Sequence, residues 1–300
     1  MAQSSLRQRL KSKQFALTAE ITPPLSCDPK DLMERAAPLK GLADAVNVTD
    51  GAGARAHLES TVAAHFLLQA GIEPILQLTT RDRNRIALQS QLVGAAALGI
   101  TNILGLTGDR PEAGDQPDAK PVFDIESAGI AAIAVSIRDR HQLPHGRAVG
   151  GTADFFVGGA DAPIDPPPGW EPTSLRKKLA AGVEFVQTQF CMDVDVLRRY
   201  LAALKQHGLE DKVHVLVGVA PLASAKSARW IRDSLKGSII PDWIVERMDK
   251  ASNAKAEGEA ICVELLKQMR EIPGLSGAHI MAPLNDAAIP RVIERVRREN

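Results

Sequence analysis

The stretch Ile103-Leu104-Gly105-Leu106-Thr107-Gly108-Asp109-Arg110-Pro111 decides how the rest of the chain is read. Its first half is apolar, as a strand buried on both faces is. Its second half offers Thr107, Asp109 and Arg110 where such a strand runs out into a loop. In a parallel sheet wrapped by helices, chemistry is placed at that end of the strands. A Gly-Asp pair also serves plain turns, so the stretch alone leaves both readings open. Repetition favours the functional one, because strand after strand in this chain ends the same way.

Upstream, Phe15 to Thr22 reads as a strand stopped by Pro23-Pro24, which cannot extend a ladder. Asp28 and Pro29 then give an N-cap and first helical position for Leu32, Met33, Ala36 and Ala37. Ala43 to Thr49 and Ile75 to Leu78 are the second and third strands, each followed by a helix that stops at glycine, Gly71 and Gly99. Downstream, Pro111 to Pro121 is loop, Ile125 to Ile137 a helix, and Ala148 to Val157 the fifth strand, with Asp154 inside it. Gly158 to Pro172 reads as a long irregular segment, of the length that is usually functional. A helix from Ser174 precedes the sixth strand, Glu184 to Phe190; Asp193 caps the next helix, and Val213 to Val219 is the seventh strand. A helix near Ser224 to Leu235, an Ile240-Pro241-Asp242-Trp243 turn and one long helix to Met269 lead to the eighth strand, Ala278 to Met281. The last helix starts near Asn285-Asp286. Eight alternating units predict an α/β fold, a single (β/α)₈ TIM barrel over residues 1–300, with 1–12 as a mobile or helical extension.

Composition agrees with one large core: 300 residues are 45% hydrophobic. Lys plus Arg and Asp plus Glu are each 36, so no charge excess draws the chain to nucleic acid or an anionic membrane. Cys27, Cys191 and Cys262 lack metal spacing, and so sparse a set suits a reducing compartment. The polar start (Gln3, Ser4, Ser5, Arg7) has no signal-peptide core, and no apolar run is long enough to span a bilayer. The expectation is a soluble, cytoplasmic protein.

On the barrel reading, the strand ends gather Glu20, Thr49, Gln77, Asp109, Asp154, Gln189 and Asn285 on one face. A buried polar group without a partner costs about 1–3 kcal/mol, so such a ring wants a ligand or a network of its own. The seven histidines fall mostly on helices and loops and show no metal-ligand spacing. Neither a Walker loop, nor a serine elbow, nor a dinucleotide glycine fingerprint is present. Carboxylate chemistry remains. Glu20, a lone acid among Phe15, Leu17 and Ile21, suits a general acid, and Asp109 is its counterpart at strand four.

Several motifs, in order along nearly the whole chain, carry a resemblance. They are Ala19-Glu20-Ile21-Thr22-Pro23-Pro24, Val48-Thr49-Asp50-Gly51, Gln77-Leu78-Thr79-Thr80-Arg81-Asp82-Arg83-Asn84 and Leu106-Thr107-Gly108-Asp109, followed by Thr188-Gln189-Phe190 with Asp193, Ile240-Pro241-Asp242-Trp243 and Leu284-Asn285. In these the chain resembles the methylenetetrahydrofolate reductase family, bacterial type with the catalytic barrel only. The resemblance implies reduction of 5,10-methylenetetrahydrofolate to 5-methyltetrahydrofolate, with non-covalent FAD and with NADH or NADPH as co-substrate. It implies Glu20 and Asp109 as catalytic residues, with Thr49, Gln77, Thr107, Gly108, Asp109 and Lys177 or Lys178 on the cofactor. Glu20, Gln189, Phe190 and Asn285 would meet the folate. It admits a homo-oligomer and implies neither nucleic acid nor membrane as partner. Two other readings stand beside it: a folate-dependent methyltransferase barrel without redox chemistry, and a catalytically idle folate- or flavin-binding subunit. Retention of both Glu20 and Asp109 argues against the idle subunit.

Overall fold

Eight parallel strands close into one barrel in sequence order, with β1 paired to both β2 and β8. The computed structural model describes residues 5–283 and 285–298. The strands are β1 Ala16–Ile21, β2 Ala45–Val48, β3 Pro74–Thr79, β4 Asn102–Leu106, β5 Phe156–Asp161, β6 Phe185–Phe190, β7 His214–Val219 and β8 Leu275–Ile280. The helices are α1 Ser5–Lys11, α2 Pro29–Ala36, α3 Ser60–Gln69, α4 Arg85–Ala97, α5 Ser127–Arg140 and α6 Thr173–Ala180. They continue with α7 Val194–Gln206, α8 Ala225–Ser234, α9 Asp242–Lys250, α10 Ala254–Arg270 and α11 Ala288–Arg298. None of the described helices is long and apolar enough to cross a membrane.

Local chemistry sets the element ends. Asp28 accepts the Lys30 N–H at 2.9 Å, and Asp193 accepts from Asp195 and Val196, so both acids cap as their positions imply. Strand alternation then sorts side chains. Leu17, Ala19 and Ile21 of β1 face the helices and join the outer core, whereas Ala16 faces the barrel axis.

The base of the barrel is plugged. Leu6 and Leu10 of α1 pack with Ala16, Ala45, Ile75, Leu104, Phe156, Phe185 and Leu216, and both leucines are buried. Each such leucine contributes about 1.5–3 kcal/mol. Arg7 of α1 lies 5.3 Å over the Phe156 ring and donates to the Asp154 carboxylate and to its backbone oxygen.

Two expectations need correction. The fifth strand is Phe156–Asp161, not Ala148 to Val157, so Gly158 and Gly159 lie inside a strand rather than opening a loop. The cause is Phe185: a Cβ at Gly158 would sit 2.3 Å from its ring, so glycine leaves room for a neighbour's side chain. Asp154 accordingly precedes β5 and is held by Arg7 beneath the barrel, at the opposite end from the site face. The long helix also divides into α9 and α10, because Ala251–Asn253 break it and Asn253 caps the new start by accepting from Ala256. The last helix begins at Ala288, after Asn285 and Asp286.

Candidate active site

A cavity of about 720 Å³ opens at the C-terminal ends of the strands. Glu20, Thr49, Gln77, Thr107, Gly108, Asp109, Lys178 and Gln189 are on its wall, so eight of the residues singled out from sequence share one space. Four others do not line it, Asp154 among them at the opposite end of the barrel. Phe190 follows the inward Gln189 by one position, so alternation turns it outward into the core between barrel and helices. Lys177 is exposed and pairs with Glu126. Asn285 is buried and braces the backbone by donating to Pro221 O at 3.0 Å; its motif neighbour Leu284 lies outside the described residues.

Glu20 is the acid at the bottom of the cavity, its side chain 24% exposed. Gln77 Nε2 donates to its Oε2 at 2.8 Å, and His279 Nε2 stands 3.4 Å from the same oxygen. Beneath them lies a buried polar layer. His279 Nδ1 is 3.0 Å from Thr18 Oγ1 and 3.3 Å from Gln187 Nε2, and Gln187 exchanges two hydrogen bonds with Asn47 at 2.6 and 2.9 Å. All four of these side chains are at most 3% exposed, so their mutual bonds offset the desolvation of each.

Asp109 sits at the exposed rim, where its carboxylate accepts the Gly53 N–H at 3.1 Å. The rim loops are tied by two arginines. Arg81 donates to Gly51 O at 3.0 Å and to Asp109 O at 3.3 Å; a side chain at Gly51 (φ +60°) would collide with that guanidinium. Arg83 grips the buried Asp50 with bonds of 2.6 and 3.0 Å, while Asp50 also accepts the backbone and hydroxyl hydrogens of Thr79. Burial opposes the Arg83 charge, but the Asp50 hydrogen bond and charge outweigh it and hold the guanidinium above its ordinary value.

Across the cavity Tyr200 donates its O–H to Asp161, the last residue of β5. Burial first, then the Asp161 charge and hydrogen bond, push the phenol well above its ordinary value, so Tyr200 is a fixed neutral donor. Trp170, in the loop after β5, also lines the cavity and packs against Tyr200 at 5.6 Å between ring centroids.

Sequence reasoning missed His279, Gln187, Asp161, Tyr200 and Trp170. The signal for His279 was its place as a polar residue within apolar β8, the same criterion that singles out Glu20 and Gln77. Tyr200 and Trp170 carry no such signal, because helix and loop residues meet the cavity only through tertiary packing.

The wall is suited to a polar ring system. Thr49 Oγ1 is buried on it with no hydrogen-bond partner, and an orphaned hydroxyl in a cavity points to a ligand. Half-buried Lys178, the Thr107-Gly108 backbone and the Trp170 ring add a cation, polar groups and an apolar surface. These residues fit a flavin. Among the described residues no group of three or more His, Cys, Asp or Glu could hold a metal ion.

Comparison with known proteins agrees with the geometry. Over 206 residues the chain is 24% identical to the 5,10-methylenetetrahydrofolate reductase of Pectobacterium carotovorum subsp. carotovorum, covering 66% of this chain and 61% of that one. It is 24% identical over 256 residues to methylenetetrahydrofolate reductase 2 of Saccharomyces cerevisiae, covering 82% and 40% respectively. The chain thus spans less than two thirds of the length of these relatives. In fold it is similar to an uncharacterized Clostridium thermocellum protein that binds two copies of 5-methyl-5,6,7,8-tetrahydrofolic acid, with a TM-score of 0.69 at 12% identity, covering 98% of this chain and 100% of that one. DmoA from Hyphomicrobium sulfonivorans has the fold too, with a TM-score of 0.61 at 9% identity, covering 95% and 88%. Residues 5–297 match the family model for methylenetetrahydrofolate reductase, and the chain belongs to that family.

Proposed function

We propose that this protein reduces 5,10-methylenetetrahydrofolate to 5-methyltetrahydrofolate with electrons from NADH or NADPH. The observation that carries the reading is Glu20, a lone carboxyl at the bottom of the family's barrel cavity, with Asp109 on the rim of the same space. FAD held by Thr49, Gln77, Thr107, Gly108 and Lys178 would supply hydride transfer between the two substrates. Glu20 gives a proton to N10 of the folate, which opens the five-membered ring to a cationic iminium at the methylene carbon. Asp109 opposes that positive charge, and Gln189 offers its amide to the pterin edge. The Arg81 and Arg83 ties keep the rim loops, and with them Asp109, in place during the reaction.

The test is Glu20→Gln. Folate reduction should fall by about 10²–10⁴-fold, the usual contribution of a general acid. Oxidation of the reduced nicotinamide with a quinone as electron acceptor should persist, because that half needs no proton from Glu20. Wild-type folate reduction in the variant would overturn the assignment. A colourless protein that never oxidises reduced nicotinamide would instead favour the methyltransferase.

A further inference from the structure

Glu20 presents its two oxygens unequally. Oε2 receives Gln77 Nε2–H at 2.8 Å and faces His279 Nε2 at 3.4 Å, while Oε1 has no protein partner among the described residues. We infer that His279 is a positioning residue that, together with Gln77, occupies Oε2 and so keeps the transferable proton of Glu20 on Oε1, the oxygen left to the cavity. The inference rests on the reading of Glu20 as the acid.

The imidazole nitrogen that carries hydrogen decides what His279 offers to Glu20. A neutral imidazole has one donor and one acceptor nitrogen, and the partner of one fixes the other. Nδ1 lies 3.0 Å from the Thr18 hydroxyl and 3.3 Å from Gln187 Nε2. Gln187 Nε2 also donates to Thr18 Oγ1 at 3.1 Å, which leaves the Thr18 hydrogen free to point at Nδ1. Both hydrogens of Gln187 Nε2 are thus engaged by Asn47 and Thr18, and the Thr18 hydroxyl lies closer to Nδ1 at 3.0 Å than to its other acceptor, Ala278 O, at 3.4 Å. With Thr18 donating to Nδ1, the ring hydrogen is on Nε2 and is directed at Glu20.

The orientation of the Gln187 amide is set by its reciprocal pair with Asn47. Inverting both amides together would preserve the pair but turn a carbonyl toward Nδ1. The ring hydrogen would then move to Nδ1, and bare Nε2 would draw the acid's proton onto Oε2, away from substrate. The buried layer therefore acts as a selector of proton position, assembled from β1, β2, β6 and β8. Few charges face the pair. Asp286 feels both Glu20 and Arg35. Asp109, Asp161 and Lys178 line the same cavity from β4, β5 and α6, and Asp50 after β2 is held by Arg83. His214 of β7 lies at the barrel base, 6.5 Å from the Phe156 ring.

Long-range ¹H–¹⁵N correlation spectra of the full chain with ¹⁵N-labelled histidine test this, His279→Gln assigning the resonance. The expected result is the Nε2–H tautomer, with the Nε2 signal displaced in Glu20→Gln. An Nδ1–H tautomer would overturn the inference.

Kinetics supply a second arm. His279→Leu should lower kcat for folate reduction by about 10²-fold with little change in KM, the cost of a misplaced catalytic group. His279→Gln, which keeps a donor, should restore most of it; equal losses in both variants would overturn the positioning role. Should His279→Leu fail to fold, Thr18→Val replaces it, and an unchanged tautomer balance there would count against the selector. The spectra need no turnover, so a wild-type chain without folate reduction would refute the proposed function and leave the tautomer result to decide this inference alone.

Discussion

The ring of Phe185 on β6 occupies the space that a side chain at Gly158 on β5 would need, 2.3 Å from the position of the missing Cβ. Glycine there is a packing requirement of the barrel interior. Gly158→Ala should destabilise the fold by about 1–3 kcal/mol, the range for overpacking a well-filled core. Urea unfolding measures it, and adding Phe185→Leu should recover part of the loss. An unshifted midpoint in the single variant would refute the account.

The Asp50–Arg83 pair is a scaffold at the rim, with Asp50 6% and Arg83 20% exposed in their side chains. Removing one partner leaves the other charge in a partly dry site, at a cost of about 3 kcal/mol. Asp50→Asn should therefore be destabilised more than the double variant Asp50→Asn, Arg83→Met. Equal stability of the two by chemical denaturation would contradict this.

Asp109 is solvent-exposed and faces the shared cavity, so on the proposed function its charge matters more to the substrate than to the fold, where it accepts one hydrogen bond from Gly53. Asp109→Asn should leave the melting temperature nearly unchanged. It should slow folate reduction by about 10²-fold, the scale of one lost electrostatic contact to a developing charge. Steady-state rates with methylenetetrahydrofolate and with a quinone acceptor, compared in the same preparation, check it. A loss confined to the quinone reaction would assign Asp109 a different role.

Burial raises the Asp286 carboxyl above its ordinary value; Arg35 opposes the rise and Glu20 adds to it. A raised value in the native state means that folding favours the protonated form. That contribution is fully present below the ordinary carboxylate range and is lost as pH rises through the raised value. At neutral pH the ionised group therefore costs stability. Asp286→Asn should raise Tm at pH 7 by about 1–3 °C, and the gain should vanish under acid conditions. Calorimetry at the two pH values distinguishes this from a pH-independent effect.

Much of this architecture was legible because β1, β3 and β6 interleave polar and apolar residues that report which face is inside. Glu20, Gln77 and Gln189 stand out in such strands. Strand β5 escaped because Gly158 and Gly159 have no side chains to alternate, and their missing volume is supplied by Phe185, 27 positions on from Gly158. Phe190 and Lys177 each stand one position away from a residue on the cavity wall, Gln189 and Lys178, since one residue turns a side chain from the cavity to the core or to solvent. His279, Thr18, Gln187 and Asn47 were invisible as a set for another reason. A polar residue in a strand suggests a ligand or a partner, but the chain in one dimension does not show that these four face one another across a closed barrel.

The helix α1 has a kinetic meaning as well. Its docking surface is assembled from Ala16, Ala45, Ile75, Leu104, Phe156, Phe185 and Leu216, spread over β1 to β7. No run of strands shorter than β1 to β7 offers that surface whole, so the first helix in chain order seats completely only after the seventh strand is in place. Until it does, Leu6 and Leu10 have no apolar partner at the base, and any chain arrested before the closing strands exposes both ends of its barrel to solvent. The plug thus ties seven strands together at the pole opposite the cavity, so one short helix closes what the sheet alone leaves open.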